Sequence, residues 1–128
     1  LPHKRPLTIK EYVKAQHVFI TLTGDFDGRV DAALRALGHR RHVVAATTSF
    51  ASPAWLLREQ DLVLTGPRLL LDRYREFLGR KPQPCPIEVP GVDLQMIWHQ
   101  RTQKDPLRQW VRDRIAELCR VESLRAQR

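Results

Sequence analysis

The last third of the chain changes from an alternating apolar pattern to a helical one. Apolar side chains occupy every second position over residues 94–98, which predicts a strand with at least one buried face. A helix is then expected to begin at Asp105, because its carboxylate can accept hydrogen bonds from free backbone N–H groups and Pro106 needs no partner in the first turn. We predict that this helix runs to about Val121. Its apolar face consists of Leu107, Trp110, Val111, Ile115 and Leu118.

The N-terminal part predicts two helices separated by a strand. Thr8 and Glu11 have the spacing of a capping box, in which each side chain bonds the backbone N–H of the other, so a short helix is expected through about Ala15. Residues 17–22 predict a strand. After a turn rich in glycine and aspartate, a second helix should end at Gly38. Its inner face is formed by Val30, Ala33, Leu34 and Leu37.

Two further pairs of strand and helix follow. Residues 42–47 are apolar and β-branched enough for a buried strand, after which Ser52-Pro53 is expected to cap a helix. Residues 61–65 predict the third strand. Pro67 should then open a helix that stops at Gly79.

This alternation of strands and helices decides the predicted fold class, which is α/β with a parallel or mixed sheet flanked by helices. The strands at about 17–22, 43–47 and 61–65 are expected to lie parallel in one sheet. Residues 82–90 contain four prolines in nine positions. They predict an extended connection with at most one short edge strand, over residues 87–89.

Three turns follow the predicted strands and carry small hydroxyl side chains. In parallel sheets ligands bind beyond the carboxyl ends of the strands, where helix N-termini expose free N–H groups. Hydroxyls at these places suit an anion or carboxylate pocket, but they could instead only cap the helices that follow. The pattern leaves both interpretations open. The candidate binding residues are Thr23, Thr48, Ser49, Phe50, Thr65, Gly66 and Pro67.

The length of 128 residues allows one domain. The chain begins at Leu1 without methionine, so we expect it to be a processed or excised piece of a longer protein. No apolar run approaches the length needed to span a bilayer and no signal peptide is visible, which predicts a cytoplasmic protein without membrane contact. Cys85 and Cys119 lack nearby cysteine or histidine partners, so two reduced thiols are expected rather than a zinc site.

The charge balance raises the possibility of a nucleic-acid partner, since 22 lysines and arginines against 14 acids leave a net charge of +8. The basic residues are scattered, however, and pairs such as Arg40-Arg41 fall in a turn that we expect to be exposed. Most aromatic side chains occupy apolar-periodic positions rather than a basic groove for stacked bases. A solvated basic surface is the simpler interpretation, and a free-standing nucleic-acid-binding domain is the alternative.

Catalytic and metal-binding patterns are weak in this sequence. Asp25 and Asp27 lack the later acidic ligands of a calcium loop. His39 and His42 flank two arginines, which would repel a metal cation. The sequence has no G-x-S-x-G, Walker or C-x-x-C motif. We therefore expect no enzyme activity, no cofactor and no metal site.

Four segments together resemble the effector-binding domain of LysR-type transcriptional regulators, in the branch of nodulation and aromatic-catabolism regulators. They are Thr8 to Gly38, Phe50, the D-L-hydrophobic-x-T-x-P stretch from Asp61 to Pro67, and the W-H-x-R strand with its Asp105-Pro106 cap. The resemblance covers nearly the whole chain. It implies a periplasmic-binding-protein-like (type 2) regulatory fold.

The resemblance also implies that a small effector, often an organic acid, binds in a cleft between two subdomains. By position, Thr65, Gly66 and Pro67 fall on the T-x-P turn of the family. Thr48-Ser49-Phe50 stands where the nearest branch often has Pro-His-Phe, so a ring nitrogen for an aromatic acid is missing. This argues against a salicylate-like effector and leaves a smaller acid open. Met96, Trp98 and Trp110 are interpreted as core residues rather than ligand contacts.

The resemblance implies a domain organisation as well. Residues 1–7 form a leader, 8–92 the second regulatory subdomain, 93–121 the strand and helix that return to the first subdomain, and 122–128 a tail. The DNA-binding winged helix and most of the first subdomain are not in this chain. The expected partners are therefore a small-molecule effector, DNA through an absent N-terminal domain, and further copies in a homo-oligomer.

Overall fold

The computed structural model describes residues 5–91 and 93–126, and over residues 121–126 its backbone alone. The chain divides into two compact units, Leu1–Gly91 and Val92–Arg128, and each is described by itself. The regular elements of the first unit are α1 (Ile9–Lys14), β1 (Gln16–Ile20), α2 (Arg29–Ala36), β2 (His42–Thr47), α3 (Ser52–Glu59), β3 (Val63–Leu64) and α4 (Arg68–Leu78).

The three strands form one parallel sheet in the order β2-β1-β3. Gln16 lies opposite His42 and Ile20 opposite Thr47, with an irregularity after His17. The parallel arrangement and the α/β class predicted from the alternating pattern are confirmed. The third strand is shorter than expected, since β3 contains two residues.

Local sequence signals place most helix ends. Thr8 Oγ1 accepts a hydrogen bond from Glu11 N, and the Glu11 carboxylate accepts one from Thr8 N at 2.8 Å, which completes the predicted capping box. Gly79 ends α4 with φ of 63°, a conformation that glycine adopts without strain. The expectation for α3 is wrong in detail, because Ala51 is its N-cap and Ser52-Pro53 lies inside the first turn.

The core of the first unit is small and lies against α1 and α2. Tyr12, Val30, Leu34 and Ile87 form a buried cluster. Ile87 comes from the proline-rich connection, which forms no strand over residues 82–90 and instead places this one side chain in the core. A fixed φ and missing N–H donors prevent that segment from forming a ladder of hydrogen bonds.

The second unit contains a short 3-10 turn, Gln100–Thr102, and the long helix α5, Pro106–Ala126. Asp105 Oδ1 accepts a hydrogen bond from Arg108 N at 3.1 Å, so the predicted cap is confirmed, and α5 continues beyond the expected end at Val121. The strand predicted over residues 94–98 is wrong, because residues 93–99 have no regular structure.

The exposure of residues 93–99 explains why the predicted strand does not form. Leu94 and Ile97 are 86% and 88% exposed, and no described strand pairs with them. An alternating pattern makes a strand only when a neighbouring strand bonds its N–H and C=O groups. The expectation that Met96, Trp98 and Trp110 are core residues is also not met within this chain, since all three are exposed.

Candidate functional site

The carboxyl edge of the sheet brings three turns together, with the turn after β1 in the middle. Thr21, just past β1, is buried, and its N–H donates to Thr47 O at 3.0 Å. Its hydroxyl accepts from the N–H groups of Thr23 at 3.3 Å and Gly24 at 3.1 Å. Thr21 therefore shapes this turn. The sequence placed it inside a strand and gave no sign of this role.

Thr23 is the exposed hydroxyl of the middle turn. Its Oγ1 donates to Asp25 Oδ2 at 2.9 Å, so the nearest charge to this hydroxyl is negative. An anion at this turn would have to compete with the Asp25 carboxylate.

The turn after β2 is organised by hydroxyl groups that bond its own backbone. Ser49 Oγ accepts hydrogen bonds from Ala51 N at 3.1 Å and Ser52 N at 3.3 Å, at the start of α3. Ser49 therefore orders the backbone that leads into α3, although the N-cap of this helix is Ala51 and has no side-chain cap. Thr48 and Phe50 on either side are exposed and remain available to a ligand.

Thr65 directly follows β3 and is half-buried. Its hydroxyl lies 2.5 Å from the Tyr12 hydroxyl, a contact between residues that are 53 positions apart. Gly66 follows, and Pro67 is the exposed N-cap of α4.

The sequence leads us to expect that the turns at Ser49-Phe50 and Thr65-Gly66-Pro67 follow neighbouring strands, and this expectation is wrong. The turns after β2 and β3 do not follow adjacent strands, because β1 lies between them. Two strand spacings separate them by about 10 Å. Tyr74 of α4 links them, since its hydroxyl donates to the carbonyl oxygen of Phe50. No local pattern in the sequence indicates this hydrogen bond.

A groove of about 480 Å³ lies beside β3, between α4 and the proline-rich connection. Thr65 and Gly66 line it, whereas the other five candidate residues do not. Leucine and proline are the commonest residues in its walls. The described residues that line it include three cations and no carboxylate. The cations are Arg68, Arg80 and Lys81.

A buried ion pair joins α2 to the residue before β2. Arg41 donates from Nε and Nη2 to the two carboxylate oxygens of Asp31, at 2.8 Å each, and its side chain is 1% exposed. The expectation that Arg40-Arg41 sits in an exposed turn is therefore wrong for Arg41. Burial raises the pKa of the Asp31 carboxyl, but the Arg41 hydrogen bond and charge outweigh it and hold that pKa below its ordinary value.

Burial shifts the pKa values of two further side chains, Tyr12 and His17. Burial raises the pKa of Tyr12, while the Thr65 hydroxyl and the charge of Arg41 oppose that rise. Burial lowers the pKa of His17, whose Nε2 donates to Tyr12 O at 2.7 Å. Both side chains are therefore neutral at neutral pH.

Within the described part of the chain, no group of three or more histidine, cysteine or acidic residues could hold a metal ion. No helix described there is long and apolar enough to cross a membrane. Cys85 and Cys119 are both exposed thiols.

The curated proteins named below, to which this chain is similar, are transcriptional regulators. The chain is 30% identical over 115 residues to the HTH-type transcriptional activator NahR of Pseudomonas putida, an alignment that covers 90% of this chain and 38% of NahR. It is 29% identical over 110 residues to the HTH-type transcriptional regulator SyrM of Rhizobium meliloti, covering 85% of this chain and 34% of SyrM. No family model matches the chain.

Solved structures agree with these relatives. The regulatory domain of MexT, a transcriptional activator in Pseudomonas aeruginosa, superposes with a TM-score of 0.76 at 30% identity, over 87% of this chain and 56% of that one. The chain belongs to the LysR family of transcriptional regulators. A Vibrio parahaemolyticus structure at 20% identity has a TM-score of 0.82 over 98% of this chain and 58% of its own, and it shows the fold alone.

Membership of the LysR family confirms the resemblance seen in the sequence and the expected effector-binding-domain fold. The relatives are regulators rather than enzymes. The chain spans 34% to 38% of the length of the two LysR relatives named above.

Proposed function

We propose that this chain is the effector-sensing part of a LysR-type regulator, which binds a small organic acid and transmits the signal to a DNA-binding domain outside this chain. The observation that carries the proposal is the carboxyl edge of the sheet, where three hydroxyl-bearing turns meet in a fold shared with the regulatory domain of MexT. The protein would be non-catalytic, cytoplasmic and a homo-oligomer.

The division of the chain belongs to the same proposal. Residues 8–92 form the second regulatory subdomain, and residues 93–121 return to a first subdomain whose other segments precede this chain. The apolar side chains exposed on α5 support this division, because a helix with an uncovered apolar face needs a partner to bury it. The effector would shift the population of two arrangements of the subdomains and so change the spacing of the DNA-reading helices.

The geometry of the carboxyl edge limits which turns a small ligand can contact at once. A small acid cannot bridge the outer turns, which are about 10 Å apart, and so contacts the middle turn and one outer turn. Thr48 and Phe50 are exposed on one side, and Thr65-Gly66-Pro67 lies on the other. Ser49 contributes indirectly by holding the start of α3.

The test uses the full-length regulator and its operator. A panel of organic acids is screened for one that changes the operator footprint, and its affinity is measured by calorimetry. Either Thr65→Val or Thr48→Val, whichever removes a hydroxyl from the outer turn that the acid contacts, should weaken binding by about 1.5–3 kcal/mol. The other variant should bind the acid normally, and operator affinity should stay the same in both. Thr102→Val, in the second unit, is the matched control. A footprint that no small acid changes would contradict the proposal.

A further inference from the structure

The groove beside β3 has the size and composition of a ligand site. Its volume of about 480 Å³ is within the range of small-molecule pockets, roughly 300–1,000 Å³. Its walls are apolar, with Leu62, Leu71 and Leu78 among them. Such walls suit a ligand with a flat or compact hydrocarbon body.

The charges around the groove favour a negatively charged ligand. Arg68, Arg80 and Lys81 line it, and the described lining residues include no acid. Asp72 pairs with Arg68 at 3.4 Å but does not line the groove, and Arg80 uses one donor on Leu57 O at 3.1 Å. The groove therefore attracts an anion and repels a cation.

The floor of the groove offers a specific hydrogen-bond donor. Tyr12 and Thr65 share one hydrogen bond of 2.5 Å, so only one of the two hydroxyl protons is used in it. Either hydroxyl can be the donor in this bond, and where Tyr12 donates to Thr65, the Thr65 proton is left free for a ligand in the groove.

We infer that this groove binds a small molecule that carries a carboxylate on an apolar body, with the Thr65 hydroxyl donating to the carboxylate and the three cations attracting it. Tyr12 is a positioning residue that sets the direction of the Thr65 proton. The inference rests on the proposed function, because the occupant is the effector, and it moves the principal contact from the open edge of the sheet to the flank of β3.

The two cysteines provide the first test on the chain itself. Cys85 lines the groove, whereas Cys119 lies on α5 in the other unit and serves as an internal reference. Alkylation by N-ethylmaleimide is followed by mass spectrometry with benzoate, with the neutral amide benzamide, and with inorganic phosphate. Benzoate should slow alkylation of Cys85 in a saturable way and leave Cys119 unchanged, while the other two probes have little effect. Equal effects on both thiols, no effect on either, or protection by phosphate as strong as by benzoate would overturn the inference.

Amino-acid substitutions separate the contribution of the Thr65 hydroxyl to benzoate binding from that of the cations. Thr65→Val should weaken benzoate binding about tenfold or more, the loss expected for a hydrogen bond to a charged group, and Thr65→Ser should restore it. Tyr12→Phe should give an intermediate loss, because the Thr65 proton is no longer directed. Lys81→Gln should weaken binding several-fold relative to Lys14→Gln, a matched loss of an exposed lysine outside the groove. Identical affinities for Thr65→Val and Thr65→Ser would contradict the role of the hydroxyl.

The outcomes distinguish this inference from the proposed function. Protection of Cys85 by benzoate with no small acid changing the operator footprint of the full-length regulator would support the groove and contradict effector sensing. Footprint changes without protection of Cys85 would support effector sensing and overturn the groove as its site. Protection in this chain that disappears in the full-length regulator would show that another part of the protein occupies the groove, which also overturns the inference.

Discussion

Arg41 and Asp31 form a bidentate ion pair. Both hydrogen bonds are 2.8 Å long, and the two side chains are 1% and 14% exposed. The Asp31 carboxylate also accepts from Gly28 N at 3.0 Å, at the start of α2. The pair therefore ties the first turn of α2 to the residue that precedes β2. Arg41 extends over the Phe19 ring of β1, 5.3 Å from its centroid.

Asp31→Asn should lower the free energy of unfolding by about 3–5 kcal/mol, because it leaves the buried Arg41 charge without its counter-ion. Asp27→Asn is the matched control, since both Asp27 carboxylate oxygens accept from Arg35 Nη1 at 2.8 Å on the exposed surface. Solvent screens that pair, so the control should change stability little. Denaturant midpoints of the two variants give the comparison, and equal losses would show that burial does not distinguish the pairs.

The Glu11 carboxylate predicts a loss of stability in acid. Its hydrogen bond from Arg5, followed by those from Thr8, lowers the pKa of Glu11 from 4.5 to about 2. A carboxyl with a lower pKa in the folded state stabilises the fold fully above 4.5, and this contribution is lost as the pH falls toward 2. Glu11→Gln should reduce the difference in urea midpoint between pH 4.5 and pH 2. Glu76→Gln, an exposed carboxyl on α4, should leave it unchanged.

Asp105→Ala should remove the side-chain cap of α5 and cost about 1 kcal/mol of helix stability. Asp113→Ala, an exposed aspartate within the same helix, is the control and should not lower helicity. Thermal melts followed by far-ultraviolet circular dichroism measure the difference. A melt of Asp105→Ala that overlays the wild type would show that this cap does not limit α5.

The basic surface predicts weak binding to duplex DNA without sequence preference. Much of the charge is already paired on the surface, as in Arg5–Glu11, Arg35–Asp27, Arg68–Asp72, Arg108–Asp105 and Arg114–Glu117. Fluorescence anisotropy with an operator and a scrambled duplex should give equal affinities that fall steeply as salt rises. Discrimination of the operator by this chain at physiological salt would favour the alternative of a free-standing DNA-binding domain.

The exposed face of α5 predicts burial in the longer regulator. Trp110 is 60% exposed and follows Leu107, which is 71% exposed. In this chain, Trp55→Phe and Trp98→Phe leave Trp110 as the single tryptophan. In the full-length regulator, every tryptophan outside this chain is also replaced by Phe, so the fluorescence of both proteins reports this face. Acrylamide should quench Trp110 efficiently in this chain and much less in the full-length regulator, where the first subdomain covers it. Equal quenching would contradict the assignment of residues 93–121 to that subdomain.

The features that depend on neighbours along the chain could be predicted from the amino-acid sequence. The Thr8–Glu11 capping box and the Asp105 cap were predicted from residues three positions apart, which one helical turn brings together. The parallel direction of the strands followed from the helices between them. The position of the candidate turns at one edge of the sheet followed in the same way, because parallel strands end at the same edge.

Only the tertiary structure decided which of these turns lie next to each other and what their hydroxyls bond. The strand order β2-β1-β3, the contact of Tyr12 with Thr65 and the burial of Arg41 join residues far apart in sequence, and no local pattern encodes such contacts. The wrong strand over residues 94–98 has the same origin. Periodicity states which face of a segment is apolar, but a strand exists only where another segment bonds its backbone, and that partner is a property of the folded chain.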